Sequence, residues 1–189
     1  TLDYICNHIM RTAHTQIRWY KINEEGISEL LYYYGDSLQE DIVCSDQIFT
    51  QQLLSIRSEE YPILYAEKYP IYFAVICQLH CCFILGPVNV EQQQIYYEGM
   101  TVERYLAQKH NVRNTKVPYC KYENFCQEVL LLFYMMSGRE MSYVELNEKN
   151  YITESLLASM QIKKSELFFN YHEHSRVHNP YELEARTME

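Results

Sequence analysis

The chain has 189 residues, 48% of them hydrophobic, which is enough to bury a core, so one globular domain is expected and a disordered protein is excluded. Its 16 Lys and Arg against 25 Asp and Glu give a formal net charge of -9, and a surface this acidic is not expected to bind nucleic acid by itself. The longest apolar run, residues 129–136, is far shorter than the roughly 18–20 residues of a membrane span.

The N-terminal quarter contains one predicted helix and two predicted strands. Apolar residues at helical spacing predict a helix over residues 3–13. Ile17–Ile22 is rich in β-branched and aromatic residues and predicts a strand, and residues 30–34 predict a second one. Asp46 then begins a helical pattern, which ends before the Pro-containing break at residues 59–62.

Three apolar runs in the middle of the chain predict three adjacent antiparallel strands, at residues 63–66, 71–78 and 81–88. In the second run both alternating sets of side chains are apolar, so the sheet is expected to be covered on both faces. Gly86 and Pro87 are expected to end the last strand, because proline cannot donate a hydrogen bond to a neighbouring strand.

The C-terminal half is predicted to be helical, with helices at residues 101–109 and 123–137. The second of these is apolar nearly all round and must be buried on two sides. One side is assigned to the sheet, and the other to a partner subunit or to the same chain. Residues 140–164 have weaker periodicity, which predicts one or two short helices.

A helix start is predicted close to the end of the chain. Asn179 is a good N-cap, Pro180 suits the first helical position, and Glu182 can reach back to the cap. Only about ten residues remain before Glu189, too few for a stable isolated helix. We therefore expect this helix to continue in a larger parent protein.

The seven cysteines are odd in number and are scattered among aliphatic residues, which predicts reduced, buried thiols in a cytoplasmic protein rather than a disulfide framework. Cys77, His80, Cys81 and Cys82 form a cluster of metal-ligand types. Adjacent strand residues such as Cys81 and Cys82 point to opposite faces, so buried thiols are favoured over a metal site.

A second cluster of metal-ligand types consists of His172, His174 and His178. No cysteine lies near these histidines in sequence, and the segment adjoins a helix cap, so no metal ion and no other cofactor is predicted. The chain also has no nucleophile-elbow motif and no glycine-rich phosphate loop, with only five glycines. An enzyme is therefore not expected.

Trp19, Tyr65 and Tyr72 are the candidate ligand-binding residues. The chain has one tryptophan and nineteen tyrosines, and these three are predicted on sheet strands, where large amphipathic rings can contact a small molecule. For any single tyrosine the alternative is ordinary packing.

The order of these elements resembles PAS/GAF-type sensor domains. Two segments, Phe-Ile-Leu-Gly-Pro-Val at residues 83–88 and His-Asn-Pro-Tyr-Glu-Leu-Glu at residues 178–184, resemble the regulatory half of AraC-family transcription regulators of Gram-positive bacteria. The resemblance implies an α+β fold, in which a central antiparallel sheet of about five strands is flanked by helices and followed by C-terminal helices. It also implies that the second segment opens a connector to two DNA-binding helix-turn-helix units.

The predicted organisation is a sensor domain at residues 1–138 and a helical connector at residues 139–189, which leads to a DNA-binding domain beyond Glu189. The expected function is regulatory: ligand sensing, dimerisation or both, without catalysis. The expected partners are an unknown small-molecule effector, a second copy in a homodimer, and DNA only through the separate DNA-binding domain, with no membrane. The alternatives are a purely structural dimerisation domain without effector and a metal-binding enzyme or sensor.

Overall fold

A central antiparallel sheet organises the computed structural model, which describes residues 1–36 and 40–163. Its strands are β1 (Ile17–Ile22), β2 (Ser28–Tyr34), β3 (Ile63–Lys68), β4 (Ile71–Gln78) and β5 (Cys81–Asn89). Their spatial order is β2-β1-β5-β4-β3, and every neighbouring pair is antiparallel. A separate small hairpin consists of β6 (Tyr96–Tyr97) and β7 (Met100–Thr101).

Helices cover the sheet on both sides. They are α1 (Leu2–Ala13), α2 (Ile42–Ser45), α3 (Gln47–Ser55), α4 (Val102–Lys109), α5 (Tyr122–Ser137) and α6 (Tyr143–Lys163). One side, called here the α5 face, packs against α1, α5 and the first part of α6. The other, called the α3 face, packs against α2, α3 and α4. The predicted α+β class, with a central antiparallel sheet of five strands flanked by helices and with C-terminal helices, is confirmed.

Strand β4 shows why the sheet needs two covering layers. Alternate side chains of a strand point to opposite faces, and every residue of β4 except the last is buried. The α3 face receives Ile71, Phe73, Val75 and Cys77. The α5 face receives Tyr72, Ala74 and Ile76. The expectation that both faces are covered is therefore confirmed.

The same chain covers most of α5. Phe125, Val129 and Phe133 are at most 1% exposed within the core of the α5 face, and α1 and α6 both contact the helix. Leu131 and Tyr134 remain on the outside, 40% and 45% exposed. The second side of this helix was assigned either to a partner subunit or to the same chain. The same chain buries most of it and leaves a short apolar strip exposed.

Strand β5 does not end at Gly86 and Pro87, which corrects the prediction. The strand continues to Asn89, and the register with β4 shifts between Tyr72 and Ala74, opposite this dipeptide. Gly86 has a φ of +115°, and an added Cβ would lie 2.7 Å from the Tyr72 carbonyl oxygen. A bulge with a glycine in this conformation accommodates the proline inside the sheet.

Three further elements differ from the sequence predictions or were not predicted. The region expected to contain one or two short helices is the single helix α6. The four-residue helix α2 and the β6–β7 hairpin were not predicted. Both are too short for a hydrophobic period to reveal them.

Cys77 and Cys82 are joined in a disulfide, so the expectation of reduced thiols is wrong for this pair. The β4–β5 register places the two residues directly opposite each other next to a tight turn, which brings their side chains together. Of the remaining cysteines, Cys6, Cys120 and Cys126 are buried free thiols.

Helix α6 begins within the same core as the sheet. Leu146 is fully buried in the α5 face, and the Asn150 amide oxygen accepts a hydrogen bond from the Leu64 backbone N–H at 2.8 Å. The division predicted at residue 138 stays a prediction. The predicted helix start at Pro180 lies outside the described residues. In the described part of the chain, no helix has both the length and the apolar composition of a membrane span.

Candidate functional site

The three candidate ligand-binding residues lie on different faces of the sheet. Trp19 and Tyr72 belong to the α5 face, whereas Tyr65 points into the α3 face. Tyr65 and Tyr72 are 5% and 3% exposed, so both rings are core residues. Because side chains alternate along strands, the sheet itself separates Tyr65 from the other two, and the three rings do not form a single pocket.

Tyr72 lines a small cavity between the sheet and α6. Its ring packs edge-on against the Tyr122 ring, with 5.2 Å between centroids. The cavity, of about 20 Å³, is also lined by Asn147 and Asn150. Its size and polar side chains suit a single water molecule, not a metabolite.

Trp19 lies in the middle of β1, between β2 and β5. Its ring contacts Phe83 and Tyr32, with centroids 4.8 and 5.2 Å apart. Its indole Nε1–H is buried and has no hydrogen-bond partner among the described residues. Trp19 is thus the least enclosed of the three predicted residues, and it lines neither this small cavity nor the larger one described next.

A much larger cavity, called here the end cavity, lies where β1 begins and β2 ends. Its volume is about 400 Å³. The residues that line it are Met10, His14, Gln16, Gly35, Asp36, Glu103, Lys116, Val117 and Pro118. They come from α1, the two strand ends, α4 and the loop before α5, so the end cavity contacts the sheet and both helical layers.

Gln16 forms the polar floor of the end cavity, and only 4% of its surface is exposed. Its amide oxygen accepts a hydrogen bond from Nη2 of Arg18 at 3.0 Å. A guanidinium has only donors, so the oxygen of the amide must face Arg18 and the NH2 group must point elsewhere. This NH2 group makes no hydrogen bond to any described residue, which leaves a donor for a bound molecule.

Two buried hydroxyls lie beside lining residues of the end cavity. The Tyr33 hydroxyl has no hydrogen-bond partner among the described residues, and it lies so close to Gly35 that an added Cβ would overlap it. Thr115 precedes Lys116, and its buried hydroxyl is also without a partner in the described part of the chain. Buried polar groups are usually hydrogen-bonded, so these two are unusual features of the cavity's surroundings.

Charged side chains of both signs surround the opening. The Lys116 ammonium lies 3.9 Å from the Asp36 carboxylate, and the two side chains are 67% and 44% exposed. Glu103, in the first turn of α4, is also exposed. Met10, Val117 and Pro118 supply the apolar part of the lining. The end cavity therefore combines an apolar wall, a buried donor and a rim of mixed charge.

Gln16 connects the end cavity to a buried ion pair on the α3 face. Arg18 is fully buried on β1, and its Nε donates to the Asp41 carboxylate at 2.6 Å. The same carboxylate accepts from the Cys44 backbone N–H at 3.0 Å and so caps α2. Burial alone would raise the pKa of Asp41, but the guanidinium of Arg18 outweighs burial and holds the pKa below its usual range.

A second buried charge cluster centres on His110, at the end of α4. Its Nε2 lies 3.0 Å from the Glu67 carboxylate, and its Nδ1 lies 2.9 Å from the Asp46 carboxylate. Ionised carboxylates only accept hydrogen bonds, so an imidazole between two of them is doubly protonated. Burial opposes this charge, but the hydrogen bond and charge of Glu67 outweigh burial and raise the pKa of His110.

Glu67 is fully buried, yet it stays ionised. Burial acts against its charge, but His110 and the Lys109 ammonium, 2.6 Å away, lower its pKa to about 2. Its second carboxylate oxygen has no partner among the described residues. The cluster therefore holds two cations against two carboxylates, with Asp46 also capping α3 through the Phe49 N–H.

The sequence carries a signal for both ion clusters. Arg18 is a charged residue inside the predicted strand 17–22. Glu67 directly follows the predicted strand 63–66 and lies inside β3. Both are buried among apolar strand residues. In a sheet covered on both faces, such a charge must be paired. The pairing partners come from distant elements and could not be read from spacing.

No group of three or more His, Cys, Asp or Glu side chains arranged to hold a metal ion occurs in residues 1–36 and 40–163. In the cluster at residues 77–82, Cys77 and Cys82 are bonded to each other and are not free thiolates. His172, His174 and His178 lie outside the described residues. No protein-family model, curated protein or solved structure matches the chain at a significant level.

Proposed function

We propose that the chain is a non-catalytic regulatory domain that senses a small-molecule effector, and that the end cavity is the effector site. The observation that carries this proposal is the size and position of the end cavity. Its volume of about 400 Å³ lies within the roughly 300–1,000 Å³ typical of small-molecule sites. Its lining comes from the sheet and from both helical layers, so one bound molecule contacts all three.

Two contacts connect the end cavity to α2 and to strand β5. Gln16 holds the Arg18 guanidinium, which pairs with the residue that caps α2, Asp41. On the other side, the Pro118 carbonyl accepts a hydrogen bond from the Asn89 N–H at 2.9 Å, a few residues before α5 begins. A ligand that binds one arrangement of these elements more tightly than another shifts their equilibrium.

The chain is further proposed to form a homodimer through the strip that Leu131 and Tyr134 leave exposed on α5. Large apolar side chains at 40% and 45% exposure are the type that a second copy covers. The same strip supports the second candidate function, a purely structural dimerisation domain without effector.

The parent protein is proposed to be a cytoplasmic transcription regulator of the AraC type, in which this chain is the sensor and separate helix-turn-helix units bind DNA. The assignment rests on the two segments that resemble this family, at residues 83–88 and 178–184. The net charge of -9 fits a domain that does not bind DNA itself.

Differential scanning fluorimetry of the 189-residue chain against a panel of small metabolites tests effector sensing. Ligands are expected to raise the melting temperature, because binding to the folded state alone stabilises it. Met10→Trp fills the end cavity from α1 and should abolish the shift. Ile48→Trp introduces the same side chain at a 74% exposed position on α3, outside the cavity lining, and should leave it unchanged.

A ligand that stabilises Met10→Trp as much as the parent chain would place the effector site elsewhere. If no ligand of the panel shifts the melting temperature, the structural dimerisation domain is favoured. Light scattering then measures the dimer directly. Leu131→Glu should convert a dimer to a monomer, whereas Gln127→Glu, an exposed polar position on the same helix, should not.

A further inference from the structure

We propose that the end cavity binds a small zwitterion with an apolar body, that is, an apolar α-amino acid or a short apolar peptide. The inference rests on the proposed function, in which the end cavity is the effector site, and it adds the chemical class of the effector. Four parts of the lining carry it: a buried donor, a cation at the rim, an exposed carboxylate and an apolar wall.

The carboxylate of the ligand is assigned to Gln16 and Lys116. Arg18 fixes the orientation of the Gln16 amide, so the buried floor presents an NH2 group and no acceptor. Lys116 adds an ammonium at the rim. A buried donor of fixed orientation, in a cavity that a cation also lines, recognises a carboxylate, since hydrogen bonds to charged acceptors are stronger than neutral ones.

The ammonium of the ligand is assigned to Glu103. This exposed carboxylate at the start of α4 has no ion pair with any described residue, and it lines the same cavity as Gln16. Asp36 lies beside Lys116, so Glu103 is the carboxylate of this lining that has no ion pair with a described residue. A lining with a cation and a donor for one end of a ligand and a carboxylate for the other favours a molecule that carries one charge of each sign.

The body of the ligand is assigned to the wall formed by Met10, Val117 and Pro118. Val117 is 6% exposed and belongs to the core of the α3 face, so this wall is fixed, whereas the unbranched Met10 adapts to different shapes. The volume of about 400 Å³ accepts an aliphatic or aromatic amino acid or a dipeptide.

Isothermal titration of the 189-residue chain with leucine, phenylalanine and the dipeptide Leu-Leu tests the proposed class. Isocaproate, which is leucine without the ammonium, and isoamylamine, which is leucine without the carboxylate, are the matched probes. At least one zwitterion should bind. Isocaproate and isoamylamine should each bind about tenfold or more weakly than leucine, because each probe lacks one of the two charged groups that form charge-assisted hydrogen bonds.

Gln16→Glu tests whether the ligand carboxylate binds at Gln16. Glutamate keeps an oxygen for Arg18 and replaces the NH2 donor with a second carboxylate oxygen, which repels the ligand carboxylate. Zwitterion affinity should fall about tenfold or more. Gln93→Glu makes the same charge change at an exposed loop position outside the cavity lining and should leave affinity within about twofold. The melting temperature of Gln16→Glu should not fall, since glutamate also pairs with Arg18.

Each outcome is decisive for the ligand class. If no zwitterion binds, or if either isocaproate or isoamylamine binds as tightly as leucine, the class is wrong. If zwitterions bind equally well to Gln16→Glu, the assigned carboxylate site is wrong. The proposed function survives these failures if another compound stabilises the chain but not Met10→Trp, and it fails if no compound does.

Discussion

The two faces of the sheet are stabilised in different ways. On the α5 face, the buried layer is almost entirely apolar, with Phe83, Phe125 and Phe133 at its centre. The α3 face has an apolar core of similar size, but it also buries Arg18 and Glu67 completely. Apolar packing tolerates small changes in geometry, whereas buried charges require particular partners. The α3 face is therefore the face whose arrangement is more specific.

The specificity comes from two aspartates that cap helices. Asp41 caps α2 and pairs with Arg18, and Asp46 caps α3 and binds His110. Each short helix thus begins at a residue that also joins it to a distant element. On the α5 face no comparable ion pair is found among the described residues. The half-buried carboxylate of Glu128 there accepts a hydrogen bond from the neutral Thr15 hydroxyl.

Arg18→Met should produce the largest loss of stability. The substitution leaves the Asp41 carboxylate buried without its cation, which typically costs about 3–5 kcal/mol of unfolding free energy. Urea denaturation measures the loss. The double variant Arg18→Met with Asp41→Asn should recover a large part of it, because asparagine caps α2 without a buried charge. Equal losses in the single and double variants would mean that the ion pair is not what makes the α3 face specific.

Leu132→Ala should destabilise the α5 face by a cavity alone. Leu132 is fully buried on α5, and truncation of such a leucine costs about 2–5 kcal/mol. The loss should be the same at pH 5 and pH 8, since no charge is involved. Gln127→Ala on the exposed side of the same helix is the control, and its effect should stay below about 1 kcal/mol. A pH-dependent loss for Leu132→Ala would contradict the contrast between the faces.

His110→Gln should lower the free energy of unfolding by about 2 kcal/mol at pH 5, because a hydrogen bond between His110 and the Glu67 carboxylate, two charged groups, is lost. The loss stays moderate because Lys109 still pairs with Glu67. The folded-state pKa of His110 is raised, so its contribution is complete below the unfolded value of about 6.5 and is lost as pH rises through the folded pKa. The difference in unfolding free energy between the parent chain and His110→Gln, measured by urea titration, should therefore shrink at alkaline pH.

His8→Gln is the matched control for this titration. His8 lies on α1, on the opposite layer, and it should change stability by less than about 0.5 kcal/mol at every pH. If His110→Gln shows a constant loss from pH 5 to alkaline pH, the imidazolium between two carboxylates is refuted.

Glu128→Gln should give the smallest effect, and in the opposite direction. Burial raises the pKa of Glu128 to about 7, although the Thr15 hydroxyl donates to it at 3.3 Å. The folded chain then holds this proton more tightly than the unfolded chain, so stability falls as pH rises from about 4.5 to about 7. Glu128→Gln should therefore raise the free energy of unfolding by about 1 kcal/mol at pH 8, a value that allows for partial solvent access. At pH 4 it should leave the free energy of unfolding unchanged.

Glu123→Gln, on the exposed side of the same helix, is the control for this change and should be neutral within about 0.5 kcal/mol at both pH values. If Glu128→Gln destabilises the chain at pH 8, the ionised carboxylate stabilises the fold. The α5 face then depends on a charge as well as on apolar packing.

Much of the fold could be predicted because its main elements have local signals. The strands over residues 63–89 and the helices α1, α3, α4 and α5 were predicted from apolar periodicity with small errors at their ends. The prediction was wrong where a tertiary contact decides the outcome. Gly86 and Pro87 stay inside β5 because Tyr72 and Ala74 of the neighbouring strand form the opposite side of a bulge.

The candidate site was much less predictable. Trp19, Tyr65 and Tyr72 were selected by residue type, and the sheet separates them by the direction of each strand side chain. The disulfide between Cys77 and Cys82 depends on the register of a hairpin, which composition does not contain. Residue type indicates what a side chain can do, but not which other side chains it meets.

By itself, the sequence determined the α+β class, the order of the main strands and helices, and the need to cover the sheet twice, because each follows from the spacing of apolar residues along the chain. Only the tertiary structure decided the end cavity and the buried ion clusters. Met10 and Pro118 line one cavity, and Glu67 meets His110, although more than forty residues separate each pair. Such contacts depend on how the elements pack, and no local pattern in the sequence encodes them.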